Sequence, residues 1–203
     1  HTLSEWLGQA AFDIQLQRQQ DKSDEEQESL YISQQRLIEI FSQGMSDLGL
    51  TEADIAEEAP WLIDYMTQRS GILTAKGEYK QQQVYAFTHL SFQEYFCAYH
   101  FKESVIYMSV EERDFVNRAK FYSWHEVIIL FFEQLTQAKQ VKHLLNELLQ
   151  LQPITNYLHE KAGIEAHFKL LAEIFNDSSI KLSCAEKTNF LDQVASFLLK
   201  NGA

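Results

Sequence analysis

The sequence predicts a mainly α protein in two parts: helices around a single β-hairpin over residues 1–107, then helices alone over residues 108–203. Three observations carry this expectation. Apolar residues recur at helical spacing through almost every long segment. Two prolines and seven glycines are too few for a turn-rich β fold. Only residues 71–88 change character, to short apolar and β-branched or aromatic runs.

The helix starts are marked by a hydroxyl residue followed three positions later by an acid. The pattern occurs at Thr2–Glu5, Thr51–Asp54, Ser91–Glu94, Ser109–Glu112, Ser123–Glu126 and Ser183–Glu186. In such a box the hydroxyl accepts one free backbone N–H and the acid accepts another. Residues 2–18 carry an apolar stripe of Leu3, Trp6, Leu7, Ala10 and Ile14. The acidic run from Asp21 to Glu28 reads as a solvated loop. Residues 34–46 place Leu37, Ile38, Phe41 and Met45 on one face, and residues 52–68 do the same with Ile55, Ala59, Leu62, Ile63 and Met66. Pro60 requires a kink or a restart in that helix.

The hairpin follows. Gly71 to Ala75 forms its first strand, Lys76-Gly77-Glu78 marks a turn, and Gln83 to Thr88 forms the second strand after a polar, Gln-rich tip. A helix opens at Ser91, with Phe92, Phe96 and Tyr99 on the side expected to pack on Leu62, Ile63 and Met66. Three helices, a hairpin and a helix is the order of a winged-helix domain, here residues 1–107. Helices are then expected near 110–120, 124–137, 139–151, 164–175 and 184–200, with breaks at Pro153 and Asn176 to Ser179. These make an all-α domain over residues 108–203, with Val127 to Phe132 apolar enough to be buried nearly all round.

Charge and composition narrow the function. Hydrophobic residues at 45% and charged residues at 23% are ordinary for a folded chain. Acidic side chains outnumber basic ones 29 to 17, a net charge of -12. That surface repels nucleic-acid backbones and anionic membranes. The would-be DNA-reading helix, 52–68, carries Glu52, Asp54, Glu57, Glu58 and Asp64 but no basic residue, and Lys76 and Lys80 at the wing cannot compensate. No apolar run approaches the ~20 residues that span a bilayer. Cys97 and Cys184 suit a reducing, cytoplasmic compartment and read as small buried hydrophobes. No histidine or cysteine spacing suggests a metal site. The chain opens on His1 rather than methionine, as a segment of a longer polypeptide would.

One stretch carries more information than any other: Phe87-Thr88-His89-Leu90-Ser91-Phe92-Gln93-Glu94-Tyr95-Phe96-Cys97-Ala98. It resembles the F-x-H-x-S-F-Q-E-(Y/F)-F-x-A signature that follows the nucleotide-binding core of NACHT-type ATPases. These are STAND-class signalling switches that include innate-immune receptors and bacterial defence proteins. Arg69-Ser70-Gly71-Ile72-Leu73 is similar to the motif that opens the family's wing, and Trp124-His125-Glu126-Val127 to a helix often found downstream. The resemblance covers about residues 1–130. The family's P-loop is missing, because no G-x-x-x-x-G-K-(S/T) occurs in the sequence. The chain is therefore expected to be no enzyme and to hold no cofactor itself, with ADP or ATP and Mg²⁺ bound by a core elsewhere in the same polypeptide.

The resemblance implies that His89 contacts the β-phosphate of ADP and so holds the winged helix against that core in the inactive state. From the residues alone, His89 lies just before a helix N-terminus, where the free N–H groups and the helix dipole favour an anion. A structural histidine satisfied by backbone carbonyls is the competing reading. Phe87, Phe92 and Phe96 read as core, Ser91 as a cap, Gln93 and Glu94 as braces, and Gly71 and Trp124 as motif residues with structural roles. The expected partners are the ATPase core and, for the longer protein, further copies of itself. The alternative is a stand-alone helical adaptor or a nucleic-acid-binding winged helix.

Overall fold

The computed structural model describes residues 2–20, 30–107, 118–119, 121–150 and 160–200. It is mainly helical, with one small three-stranded antiparallel sheet. The chain divides into two compact units, His1–Glu103 and Ser104–Ala203. The expected loop over 21–28, the Ser109–Glu112 cap, most of the helix near 110–120 and the break at Pro153 lie outside the described residues. The side chain of Thr2, and with it the Thr2–Glu5 cap, lies outside them too.

The first unit runs α1 (Thr2–Gln20), β1 (Ile32–Ser33), α2 (Gln34–Asp47), α3 (Glu52–Gln68), β2 (Leu73–Tyr79), β3 (Gln82–Phe87) and all but the last turn of α4 (Leu90–Tyr107). Leu7, Ala10 and Ile14 of α1 are buried as the periodicity requires, while Leu3 is at the surface. On α2 the buried face is Leu37, Ile40, Phe41 and Met45, so Ile40 takes the inward place expected of Ile38. Ser33 caps this helix by accepting the Arg36 N–H at 3.2 Å. Arg36 then reaches across to Asp13 of α1, Nε to Oδ2 at 2.7 Å, and this hydrogen bond is the main reason its guanidinium pKa is raised.

Thr51 and Asp54 form the expected capping box at the start of α3: each backbone N–H is taken by the other's side chain. Ala59, Leu62, Ile63 and Met66 form its buried stripe. The helix passes through Pro60 as one element rather than restarting there. Pro60 and Ala56 are both exposed, so the Ala56 carbonyl that loses its donor remains at the solvated surface.

The hairpin differs from expectation. Gly77 is not its turn: β2 runs through it, with a bulge between Ala75 and Gly77 that the glycine accommodates at φ 95°. The chain reverses instead at Lys80 and Gln81, which hold φ of 48° and 64°. Two consecutive left-handed residues between paired strands are the signature of a tight hairpin turn with the right twist, here without the usual Asn-Gly. β3 lies in the middle of the sheet, in the order β1-β3-β2, and Val84, Tyr85, Ala86 and Phe87 are all buried. The third strand, β1, pairs Ile32 with Tyr85 and Ser33 with Val84. Two residues are too short to leave a period-2 signal.

Glycine lets the helices of the first unit approach closely at two points. A Cβ on Gly8 would lie 2.9 Å from the His100 Cβ and 3.1 Å from the Phe96 carbonyl oxygen, so α1 and α4 cross almost backbone to backbone. A Cβ on Gly44 would collide with the indole of Trp6.

The second unit contains a 3₁₀ turn (Tyr122–Trp124), α5 (His125–Gln134), α6 (Ala138–Gln150), α7 (Glu160–Asn176) and α8 (Cys184–Lys200). Val127, Ile128, Phe131 and Phe132 of α5 are buried, and Ile129 and Leu130 are half-buried. The Ser123–Glu126 cap does not form. The 3₁₀ turn carries the chain into α5, Trp124 takes the N-cap position, and no side chain caps it. Ser183 and Glu186 do form a box on α8, and Lys142 pairs with Glu186. That pair, with the two Ser183 donors, holds the Glu186 carboxyl down at about 2. Between α7 and α8, Asp177 Oδ1 accepts the Ser179 N–H and hydroxyl, each at 2.7 Å, which makes the expected break an Asx turn. Cys97 is buried as expected, but Cys184 is exposed, because it opens α8 on the solvent side.

Candidate functional site

The junction between β3 and α4 assembles most of the residues singled out in the sequence. Phe87 ends β3, buried and paired with Leu73. Thr88 continues the pairing by donating its N–H to the Ile72 carbonyl at 2.9 Å, and its hydroxyl lies 2.8 Å from that of Thr74. Gly71, at φ 66°, lies in the connection that leads from α3 into β2. A side chain there would be strained in the left-handed region, although nothing crowds the space around it. The Ile72 N–H bonds back to the Met66 carbonyl at 3.1 Å and locks this entry to the wing.

His89 occupies the N-cap position of α4. Its carbonyl accepts the N–H groups of Phe92 and Gln93, at 3.1 and 3.4 Å. Ser91, expected to cap the helix, therefore lies inside the first turn. The correction has a simple cause: helix geometry begins at Leu90, one residue before the serine. The His89 ring is exposed and packs edge-on against the Phe92 ring, centroids 5.3 Å apart. Ser91 is exposed as well, and Leu90, Phe92 and Tyr95 add an exposed apolar rim. Phe92, expected in the core, is 42% exposed.

The buried side of α4 is set by Gln93, Cys97, Ala98 and Phe101 rather than by the aromatic residues. Gly8 of α1 lies against Phe96 and His100 of α4, and Cys97 and Ala98, between them in sequence, are completely buried. Phe96 and Tyr99 are half-buried; Phe96 packs on Phe87, centroids 6.0 Å apart. Gln93 donates its amide to Gln15 of α1 at 3.2 Å in a buried position, and Arg18 donates to the same oxygen at 3.2 Å. Glu94 is half-buried on the next position around the helix. The motif thus splits into an inward set that fixes α4 on α1 and β3, and an outward set around His89.

Trp124 belongs to the second unit, where it is completely buried under the Arg118 guanidinium, 4.6 Å from the ring centre. Its neighbour His125 is buried too; its Nε2 lies 3.3 Å from the Ala119 carbonyl oxygen, and burial is the main cause of its lowered pKa.

An exposed imidazole beside the positive end of a helix dipole is suited to an anion. Among the described residues there is no group of three or more His, Cys, Asp or Glu arranged to hold a metal ion. Among them, too, no helix is long and apolar enough to cross a membrane. Comparison with protein-family models, curated proteins and solved structures finds no match to this chain.

Proposed function

We propose that the chain is the regulatory part of a NACHT-type signalling ATPase, a winged-helix domain followed by a helical domain, that couples nucleotide state to conformation. The observation that carries this reading is the position of His89, exposed at the N-terminus of α4 at the centre of the twelve-residue motif. Further support comes from the first unit's element order. A short strand before α2, a hairpin after α3 and the sheet order β1-β3-β2 support the winged-helix reading.

In this reading His89 donates an imidazole N–H to a phosphate oxygen of ADP held by the core of the same polypeptide. The first-turn N–H groups of α4 add a favourable dipole, and Leu90, Phe92 and Tyr95 supply an apolar rim to be covered by that core. A contact made only in the ADP state biases the switch by its own energy, about 1–3 kcal/mol. Exchange for ATP removes it, and the first unit is then free to rotate as a rigid body and allow self-association. The setting is the cytoplasm, and the chain itself performs no catalysis. The acidic outward face of α3 argues against nucleic acid as the partner.

The test is made on the full-length polypeptide, purified with His89 intact and as His89→Ala. Nucleotide released on denaturation is quantified by chromatography. The expected result is ADP on the intact protein and its loss, or a swap toward ATP, in the variant. His89 is exposed, so the substitution is expected to change folding stability by no more than about 0.5 kcal/mol. Equal ADP retention by both proteins would overturn the role of His89.

A further inference from the structure

Trp61 and Tyr65 form an aromatic pair on the outward face of α3, on the side opposite Leu62, Ile63 and Met66. Their rings are stacked, with centroids 5.4 Å apart and planes inclined by 22°. Trp61 is 57% exposed and Tyr65 38%. Tyr and Trp are enriched at interfaces, where an apolar ring and a polar tip both find partners.

The surroundings define the partner. On a helix the nearest neighbours of a residue lie three and four positions away. For Trp61 these are Glu57, Glu58, Asp64 and Tyr65, so the indole is ringed by three carboxylates and its stacking partner. All three carboxylates are exposed, and among the described residues none forms a salt bridge. An apolar partner laid over Trp61 would have to desolvate these charges with nothing to pair them. A second copy of this chain, at net charge -12, would bring further negative charge. An arginine satisfies both features at once: its planar guanidinium stacks on an indole face, and its N–H groups pair with the flanking carboxylates.

We propose that this face of α3 is a docking surface for an arginine-bearing basic segment of a partner protein, with Trp61 as the stacking platform and Glu57, Glu58 and Asp64 as the counter-charges. This site lies on a different helix from His89 and does not depend on the nucleotide reading.

The probe is a (Gly-Arg)₄ peptide titrated into the chain at 50 and 200 mM salt. Binding is followed by the indole N–H resonance of Trp61, assigned by its absence in Trp61→Phe, and by calorimetry. The expected result is saturable binding that perturbs the Trp61 resonance, weakens with salt, and is weaker for (Gly-Lys)₄. Trp61→Ala is expected to reduce affinity about tenfold. Glu57→Gln/Glu58→Gln/Asp64→Asn is expected to do the same and to flatten the salt dependence. The control, Glu78→Gln/Glu126→Gln/Asp192→Asn, carries the same net charge but leaves the platform intact, so it should bind like the parent. Equal binding by parent and Trp61→Ala, or equal losses in the two charge-matched triples, would reduce the effect to overall charge and overturn the proposal. So would no binding of (Gly-Arg)₄, preferential binding of (Gly-Leu)₄, or self-association that disappears in Trp61→Ala.

Discussion

Gln93 of α4 donates to Gln15 of α1 across 3.2 Å, and both side chains are buried, at 2% and 0% exposure. Within a motif that otherwise presents aromatics and a histidine, this bond ties the helix to the body of the first unit. A hydrogen bond of this kind contributes about 0.5–1.5 kcal/mol net. Arg18 still donates to the Gln15 oxygen when Gln93 is replaced, so Gln93→Leu is expected to destabilise the first unit by about that amount. Gln15→Leu/Gln93→Leu, which also removes the acceptor of Arg18, should lose less than the two single changes added together. A double-mutant cycle from urea unfolding measures the coupling; strictly additive losses would mean that the two amides do not stabilise one another.

Gly8 makes a stronger demand. In a helix, Gly→Ala ordinarily stabilises by about 0.5–1 kcal/mol. Here the added Cβ meets the His100 Cβ at 2.9 Å and the Phe96 carbonyl oxygen at 3.1 Å, and neither is the yielding end of a flexible side chain. Overpacking of this kind costs about 1–3 kcal/mol, so the sign should reverse. The thermal midpoint of Gly8→Ala is expected to fall. A rise would mean that α1 and α4 separate without cost.

These two contacts also show what the sequence conceals. The helices of the first unit, the hairpin and the capping boxes at Thr51 and Ser183 leave local signals, and those were readable. The inward face of α4 was not, because Phe92 and Phe96 have the more hydrophobic side chains while Gln93, Cys97, Ala98 and Phe101 are the ones buried. Hydrophobicity ranks residues one at a time, but which face of α4 turns inward is set by how the helix packs on α1 and β3. Likewise Gly77 looks like a turn residue, and only strand register reveals that it relieves a bulge while Lys80 and Gln81 make the turn. The position of His89 could be read from its motif. Its place as N-cap depends on where α4 starts, which Ser91 obscured. The Trp61 platform was hidden inside a helix read for its buried stripe.

Two histidines, His125 buried and His100 half-buried, give the fold a pH dependence with a definite sign. Burial lowers the pKa of His125, with smaller opposing effects from the Ala119 carbonyl and Glu173, and a further lowering from Lys169. Burial likewise lowers that of His100, opposed by Asp13. In the unfolded chain both titrate near the ordinary value of about 6.5. As pH falls below this, the unfolded state takes up protons that the folded state does not, so stability declines by up to about 1.4 kcal/mol per pH unit per histidine until the folded form also titrates. Above about pH 7 neither residue contributes a slope. His125→Gln keeps a donor near the Ala119 carbonyl but cannot charge, and should flatten the fall between pH 7 and 5. An unchanged slope would place the acid sensitivity elsewhere.

The hairpin turn offers the reverse experiment, a change that should stabilise. Lys80 and Gln81 both hold a left-handed backbone, at φ 48° and 64°, which costs a non-glycine residue about 1–2 kcal/mol. Asn-Gly adopts this turn with the least strain, since asparagine tolerates the conformation and glycine has no Cβ to oppose it. Both positions are exposed, and Lys80 gives up its contact with the neighbouring Tyr79 ring, 4.6 Å away, worth about 0.5–1 kcal/mol at a surface. Relief of strain outweighs that loss, so Lys80→Asn/Gln81→Gly is expected to raise the stability of the first unit by about 1 kcal/mol. Slower hydrogen exchange at the amides of β2 and β3 would register the gain at the hairpin itself. Faster exchange there would mean that the contacts of Lys80 hold the turn more firmly than backbone strain loosens it.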